Sequence, residues 1–338
     1  RLWGVLFGLA GLGLALWVVF NEGVHDIIRV LDVAGWSLLW LIPLHLAPIA
    51  TDARGWQILL QPFDPQRRAT PLFLLWVASV REAIDRLLPV ANVGGELVGI
   101  RLLLLRAIPG AAAAASVLVE VLVTIISQYL FTATGLVLLV FFLHDAQLSN
   151  NLSLGLIASA PLPVILYFLL RNGRVFEHVK RGFVRTLGAR HRLSLQLSET
   201  ASELDHDLRL LLNQPGRLAR TLAWQFAGMA MGSFETWFTL ILLGHPIGVW
   251  EALTLESLWL AVRNFAFFIP VGLGVQEASF LLFGGLIGLP ADVSVALALT
   301  KRLRDVGFGL PAMLSWQWVE GRALRTRLTT DASETGKS

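Results

Sequence analysis

Ionisable side chains crowd two otherwise apolar stretches of this chain. Arg81, Glu82, Asp85 and Arg86 interrupt one, and Lys301, Arg302, Arg304 and Asp305 interrupt the other. Charge inside hydrocarbon is costly, so such groups line a cavity, pair with one another, or both. The i,i+4 spacing predicts Arg81–Asp85 and Glu82–Arg86 pairs on one helix. Glu120, Glu235 and Arg263 stand in further apolar runs, with Asn92, Asn264 and Gln276 as neutral polar groups nearby. Glu235, alone in its run, is expected to find a buried partner. Two uses fit this inventory. Either Arg101, Arg263, Lys301, Arg302 and Arg304 present cations to an anionic headgroup in a polar cavity, or the charges are structural ion pairs that lock the helices.

The surrounding composition says what kind of elements must hold these residues. Apolar residues make up 55% of the 338, and charged residues only 15%, with mean hydropathy +0.66. Soluble domains carry roughly 25% charged residues. Runs long enough to cross a ~30 Å hydrocarbon core occur near Leu2–Phe20, Val33–Ala50, Pro71–Pro89, Ala111–Leu143, Leu152–Leu170, Leu218–Leu243, Trp250–Pro270 and Ala291–Val319. The expectation is an all-α polytopic membrane protein of about eight spans, a single integral membrane domain over 1–338. Leu2–Phe20 lacks a small-residue cleavage site and is read as a helix rather than a signal peptide. Trp3, Trp17, Trp36 and Trp40 suit the headgroup belts. Basic residues fill 51–70, 171–217 and the C-terminal tail, while 144–151 and 244–249 hold no Lys or Arg. The first three are therefore expected on the cytoplasmic side.

Sliding the chain against itself by 181 residues aligns Trp56 with Trp237, Pro65 with Pro246, Pro89 with Pro270, Glu96 with Glu277 and Pro109 with Pro290. One copy covers about 1–143 and the other about 152–321. The first begins at a basic loop and the second at an uncharged one, so the copies are expected to enter the membrane from opposite sides. In each, an apolar helix stops at Pro-Val (Pro89-Val90, Pro270-Val271), a Gly-containing turn follows, and a Glu opens a segment of about a dozen residues. Such a segment reaches only ~18 Å, which predicts two re-entrant broken hairpins. Inverted repeats with interrupted helices suit secondary transport, with a site near the midplane. Glu96 and Glu277 are expected to cap their short helices, with proton coupling the alternative. The offset also places Glu82 opposite Arg263 and Glu120 opposite Lys301, so opposite charges could meet across a pseudo-two-fold axis.

Leu197, Ala201, Leu204, Leu208 and Leu211 recur at helical spacing in the basic 171–217 linker. An amphipathic helix is expected there, on the membrane or on helix ends, and its basic residues would attract anionic phospholipid. There is no HExxH, G-x-S-x-G, P-loop or CxxC motif, and the histidines lack ligand spacing. No enzyme, no metal, no cofactor and no nucleic-acid partner is expected. Oligomeric state has no sequence signal.

The stretch from Asp85 through Pro89-Val90 and Gly94-Gly95 to Glu96, followed by Arg101, resembles the signature of the flippase-like transmembrane domain of lysylphosphatidylglycerol synthases. Pro270-Val-Gly-Leu-Gly-Val-Gln-Glu277, then Gly288-Leu-Pro290 and Lys301-Arg302-Leu303, is similar to that family's second block. Within the family, the chain looks most like the HpnL-type proteins associated with hopanoid biosynthesis. The resemblance implies a multi-pass bacterial inner-membrane protein that moves a hopanoid-related or anionic envelope lipid between leaflets, with membrane lipids as partners. Only a short polar tail follows Val319, so lipid aminoacylation is not expected. Gln276 stands where relatives often carry Arg. Two rivals remain: a non-transporting scaffold for lipid-biosynthesis enzymes, and an ion-coupled solute transporter.

Overall fold

Thr70 and Pro71 open the first charged helix. Thr70 is extended and its hydroxyl accepts the Phe73 N–H at 3.3 Å, while Pro71 occupies the first turn, where no N–H is needed. The resulting helix, α2, spans Pro71–Leu87. The computed structural model describes residues 32–88, 94–142, 153–154, 157, 161–171, 192–265 and 274–335, and the regular elements among them are all helical. Ahead of α2 lies α1, Asp32–Leu60, which opens through the 3-10 turn Gly35–Trp40. After it come α3 (Gly94–Leu104), α4 (Gly110–Phe142), α5 (Pro161–Arg171) and α6 (Arg192–Leu212). The remainder is α7 (Pro215–Leu242), α8 (Val249–Phe265), α9 (Val275–Leu286) and α10 (Ala291–Thr335). The expected span Leu2–Phe20 and the Pro-Val turns at 89–93 and 266–273 lie outside the described residues.

The 181-residue offset reappears in where helices begin and what they touch. Gly94, the first residue of α3, lands on Val275, the first of α9; Gly110 of α4 lands on Ala291 of α10. α2 packs on α1, α3 and α10, while α8 packs on α7, α9 and α4. α1 and α7 pack on each other along their length. Their approach is close because glycines face the partner: a Cβ on Gly228 would stand 2.6 Å from Thr51 Oγ1, and one on Gly55 3.5 Å from Thr221.

Among the described residues, two helices are long and apolar enough to cross a membrane by composition, Asp32–Leu60 and Gly110–Val140. That is fewer than the eight spans expected. The count of eight is left open by this, since Leu2–Phe20 and part of Leu152–Leu170 lie outside the described residues and α2 and α8 have 17 residues each. α3 and α9 have 11 and 12 residues, about 16 and 18 Å, too short to cross alone. α10, with 45 residues, reaches about 68 Å and outruns a ~30 Å core.

Three apolar clusters tie these helices together. Trp56, Leu74, Val77, Leu102 and Leu103 bind α1, α2 and α3. Leu240, Leu255, Trp259, Phe280 and Val293 bind α7 to α10. The third joins the linker to the bundle: Leu208 and Leu211 of α6 are fully buried against Leu59, Val119 and Leu122. The amphipathic linker face thus packs on helices rather than lying free. Beneath α1, Asp64 folds the loop to α2 by accepting the N–H groups of Arg68 at 2.9 Å and Ala69 at 2.8 Å. Asp64→Ala leaves two loop N–H groups without that carboxylate. Detergent unfolding titration is expected to read a loss of about 1–3 kcal/mol.

Candidate functional site

Six helices each turn one stripe of side chains toward a common cavity of about 280 Å³. The positions follow helical periodicity: His45, Pro48, Ile49 and Asp52 on α1, and Ala78, Arg81, Glu82 and Asp85 on α2. Glu120, Thr124 and Gln128 come from α4, and Gln225, Gly228, Gly232 and Glu235 from α7. Glu256, Trp259 and Arg263 from α8 and Lys301 and Arg304 from α10 complete the wall, with Glu96 and Gln276 reaching in from the two short helices.

Most of the charges are satisfied, in three groups. In the first copy, Arg81 Nη1 donates to Glu120 Oε2 at 2.8 Å and Nη2 to Glu96, with the guanidinium 4.6 Å from the centre of the Trp56 ring. Trp56 is itself held by its Nε1 donating to Ser116 Oγ at 3.1 Å. In the second copy, Lys301 Nζ donates to Glu256 Oε2 at 2.6 Å, and Thr236 Oγ1 donates to the same oxygen at 2.5 Å. Between them is a knot that joins the copies. His45 Nδ1 lies 2.8 Å from Glu235 Oε2 and His45 Nε2 lies 3.2 Å from Glu82 Oε1. Arg304 pairs with Glu235 and donates to Asp305 Oδ1 at 2.6 Å, while Arg86 sits 3.4 Å from Glu82.

Among the sequence candidates, Arg81, Asp85, Arg86, Glu96, Glu120, Arg263, Gln276, Lys301 and Arg304 line the cavity. Arg101 does not: it is exposed and pairs with Glu320 of α10, its Nε donating at 2.7 Å. Glu277 and Arg302 pair with each other beside the cavity, and Asp305 stands behind Arg304. Asn92 and the side chain of Asn264 lie outside the described residues.

Two expected pairings are corrected. Arg81 does not pair with Asp85, because its guanidinium reaches two carboxylates on other helices. Asp85 instead accepts the Gly95 N–H at 3.0 Å, and so holds the start of α3. Glu120 and Lys301 do not meet across the copies, since each has a nearer partner within its own copy. Glu96 and Glu277 do lie in the first turns of their helices, but each carboxylate is ion-paired, to Arg81 and Arg302.

Sequence reasoning missed His45, Asp52, Gln128, Gln225 and Glu256. A signal for two of them existed: His45 and Asp52 are seven apart in an apolar run, two turns along one helix face. Gln225, 3% exposed, faces the cavity without a hydrogen-bond partner among the described residues, as do Asp52, Thr124 and Gln128. Arg263 likewise has no ion pair among them. The described residues hold no group of His, Cys, Asp and Glu placed to bind a metal ion.

Searches of curated proteins and of solved structures return no match. The model of the lysylphosphatidylglycerol synthase TM region matches residues 1–312, nearly the whole chain, so this membrane protein belongs to that family.

Proposed function

We propose that the protein is a lipid translocase of the flippase-like class, not an enzyme, in which a lipid headgroup enters the cavity while the acyl or polycyclic tail stays in the membrane. The observation that carries this reading is the polar cavity walled by both copies of the repeat, inside a bundle of apolar helices. A membrane-depth cavity at a repeat interface suits alternating access by rocking one copy against the other. The three groups of ion pairs support that motion. Two lie within single copies and would travel with them, and the third, at His45 and Arg304, bridges the copies and would rearrange. In this reading the protein sits in the bacterial inner membrane, with 171–217 and the C-terminus cytoplasmic and anionic phospholipid gathered at the basic linker. A hopanoid-related cargo rests on the resemblance of the two Pro/Gly/Glu blocks.

The test is leaflet exchange in reconstituted vesicles, measured by chemical quenching of a tail-labelled reporter lipid. Wild-type protein is expected to accelerate exchange. Arg263→Ala is expected to slow it by about tenfold or more, the scale of one lost charged hydrogen bond. Exchange no faster than in protein-free vesicles, for every lipid tried, would sink the proposal.

A further inference from the structure

We infer that the headgroup taken by this cavity is uncharged and polyhydroxylated, a sugar or polyol, and that Asp52, Gln128 and Gln225 hold its hydroxyls. This rests on the translocase reading only in taking the ligand to be a lipid.

The placement comes first. Asp52 lies against α7 at Gly228, where an added Cβ would stand 3.2 Å from Asp52 Oδ1. Gln225 is one turn away on the same stripe of α7. Beside them, Thr124 and Gln128 are one turn apart on α4, which packs on both α1 and α7. Phe131 of α4 stacks edge-on against Phe226 of α7 with centroids 5.6 Å apart, which fixes Gln128 and Gln225 at a similar level. One carboxyl, two amides and a hydroxyl from three helices thus line the same cavity, none with a hydrogen-bond partner among the described residues.

The donor and acceptor inventory then selects the ligand. A carboxylate only accepts, whereas a Gln amide both donates and accepts. An ammonium group, which only donates, would satisfy Asp52 but leave the amide N–H groups unmatched. A phosphodiester, which only accepts, would satisfy those N–H groups but leave the amide carbonyls without a donor. Hydroxyls do both, and several on adjacent carbons match the whole set. The volume of about 280 Å³ lies at the small end for ligand pockets and suits one headgroup ring rather than a tail.

The experiment is native mass spectrometry of the full chain in a non-glycosidic detergent, with an equimolar mixture of four lipids sharing the same acyl chains. These are a monoglucosyl diacylglycerol, phosphatidylglycerol, phosphatidylethanolamine and a trimethylammonium lipid. The glucosyl lipid is expected to be the dominant adduct. Gln225→Leu and Gln128→Leu, on different helices, are each expected to cut its enrichment about fivefold. Arg101→Ala, exposed and away from the cavity, is expected to leave it unchanged. Unliganded thermal midpoints check that each variant is folded. Equal binding of all four lipids, preference for a charged head, or a glucosyl preference untouched by both Leu variants would overturn the inference. Binding is read at equilibrium. Selective glucosyl binding without leaflet exchange would therefore fail the translocase reading alone, and exchange without selectivity would fail this one alone.

Discussion

Arg81→Ala is expected to lower stability by about 3–5 kcal/mol in detergent unfolding and to abolish leaflet exchange. The cost follows from what remains. Glu120 and Glu96 currently share one guanidinium, and both would be left in a buried site with no cation in hydrogen-bond reach. The stack on Trp56 would go too, and that ring sits in the centre of the first apolar cluster. Arg81→Lys should recover little of the loss, because a point ammonium cannot fork to two carboxylates on different helices while covering an indole. Arg81→Met combined with Glu96→Gln and Glu120→Gln is the informative rescue. Stability should return toward wild type, since the unpaired charges are gone, while exchange stays lost because α3 is no longer tied to α4 through Arg81. Full activity in that triple variant would count against any role for the pairing beyond neutralisation.

Gly135→Val is expected to cost about 3 kcal/mol and to reduce the folded yield sharply. α4 and α8 cross so closely here that even a Cβ at position 135 would stand 1.6 Å from Ser257 Oγ and 2.6 Å from Ser257 Cβ. Ser257 is fully buried and its hydroxyl donates to Thr254 O at 2.8 Å, so it has nowhere to turn. Backbones rather than side chains must move apart, at the upper end of overpacking penalties. Gly135→Ala should be milder, and Ser257→Gly in that background should restore most of the loss, giving a coupling of about 1–2 kcal/mol in a double-mutant cycle. Additive effects would mean the crossing is looser than its geometry indicates.

The all-helical class was legible because its signals were coarse and local. The 181-residue offset that aligns Trp56 with Trp237 also carries the starts of α3 and α4 onto those of α9 and α10. The site was legible in inventory but not in pairing. Spacing along α2 offered Asp85 to Arg81, yet the side chain chose Glu120, 39 residues on, a choice set by how α2 and α4 pack. His45 stands in an apolar run without metal-ligand spacing. Its partners, Glu82 and Glu235, are 37 and 190 residues away. The neutral amides were overlooked for a simpler reason: in an apolar chain a charge stands out and a glutamine does not. Where the linker would lie was also open until Leu208 and Leu211 were seen buried against the bundle.

Glu96 and Glu277 stand in the first turns of the two short helices but are not held equivalently. Glu96 is clasped by Arg81 of α2, ahead of its short helix in the chain, whereas Glu277 is clasped by Arg302 of α10, after its short helix. A machine built from two interchangeable halves could swap their shapes and return to the same energy, spending equal time facing either side. In the alternating-access cycle proposed above, the swap would have to undo dissimilar clasps, so the two end states are expected to differ in free energy. In the proposed cycle, that difference would set the side the cavity faces at rest, and with it the leaflet from which a lipid would first be collected.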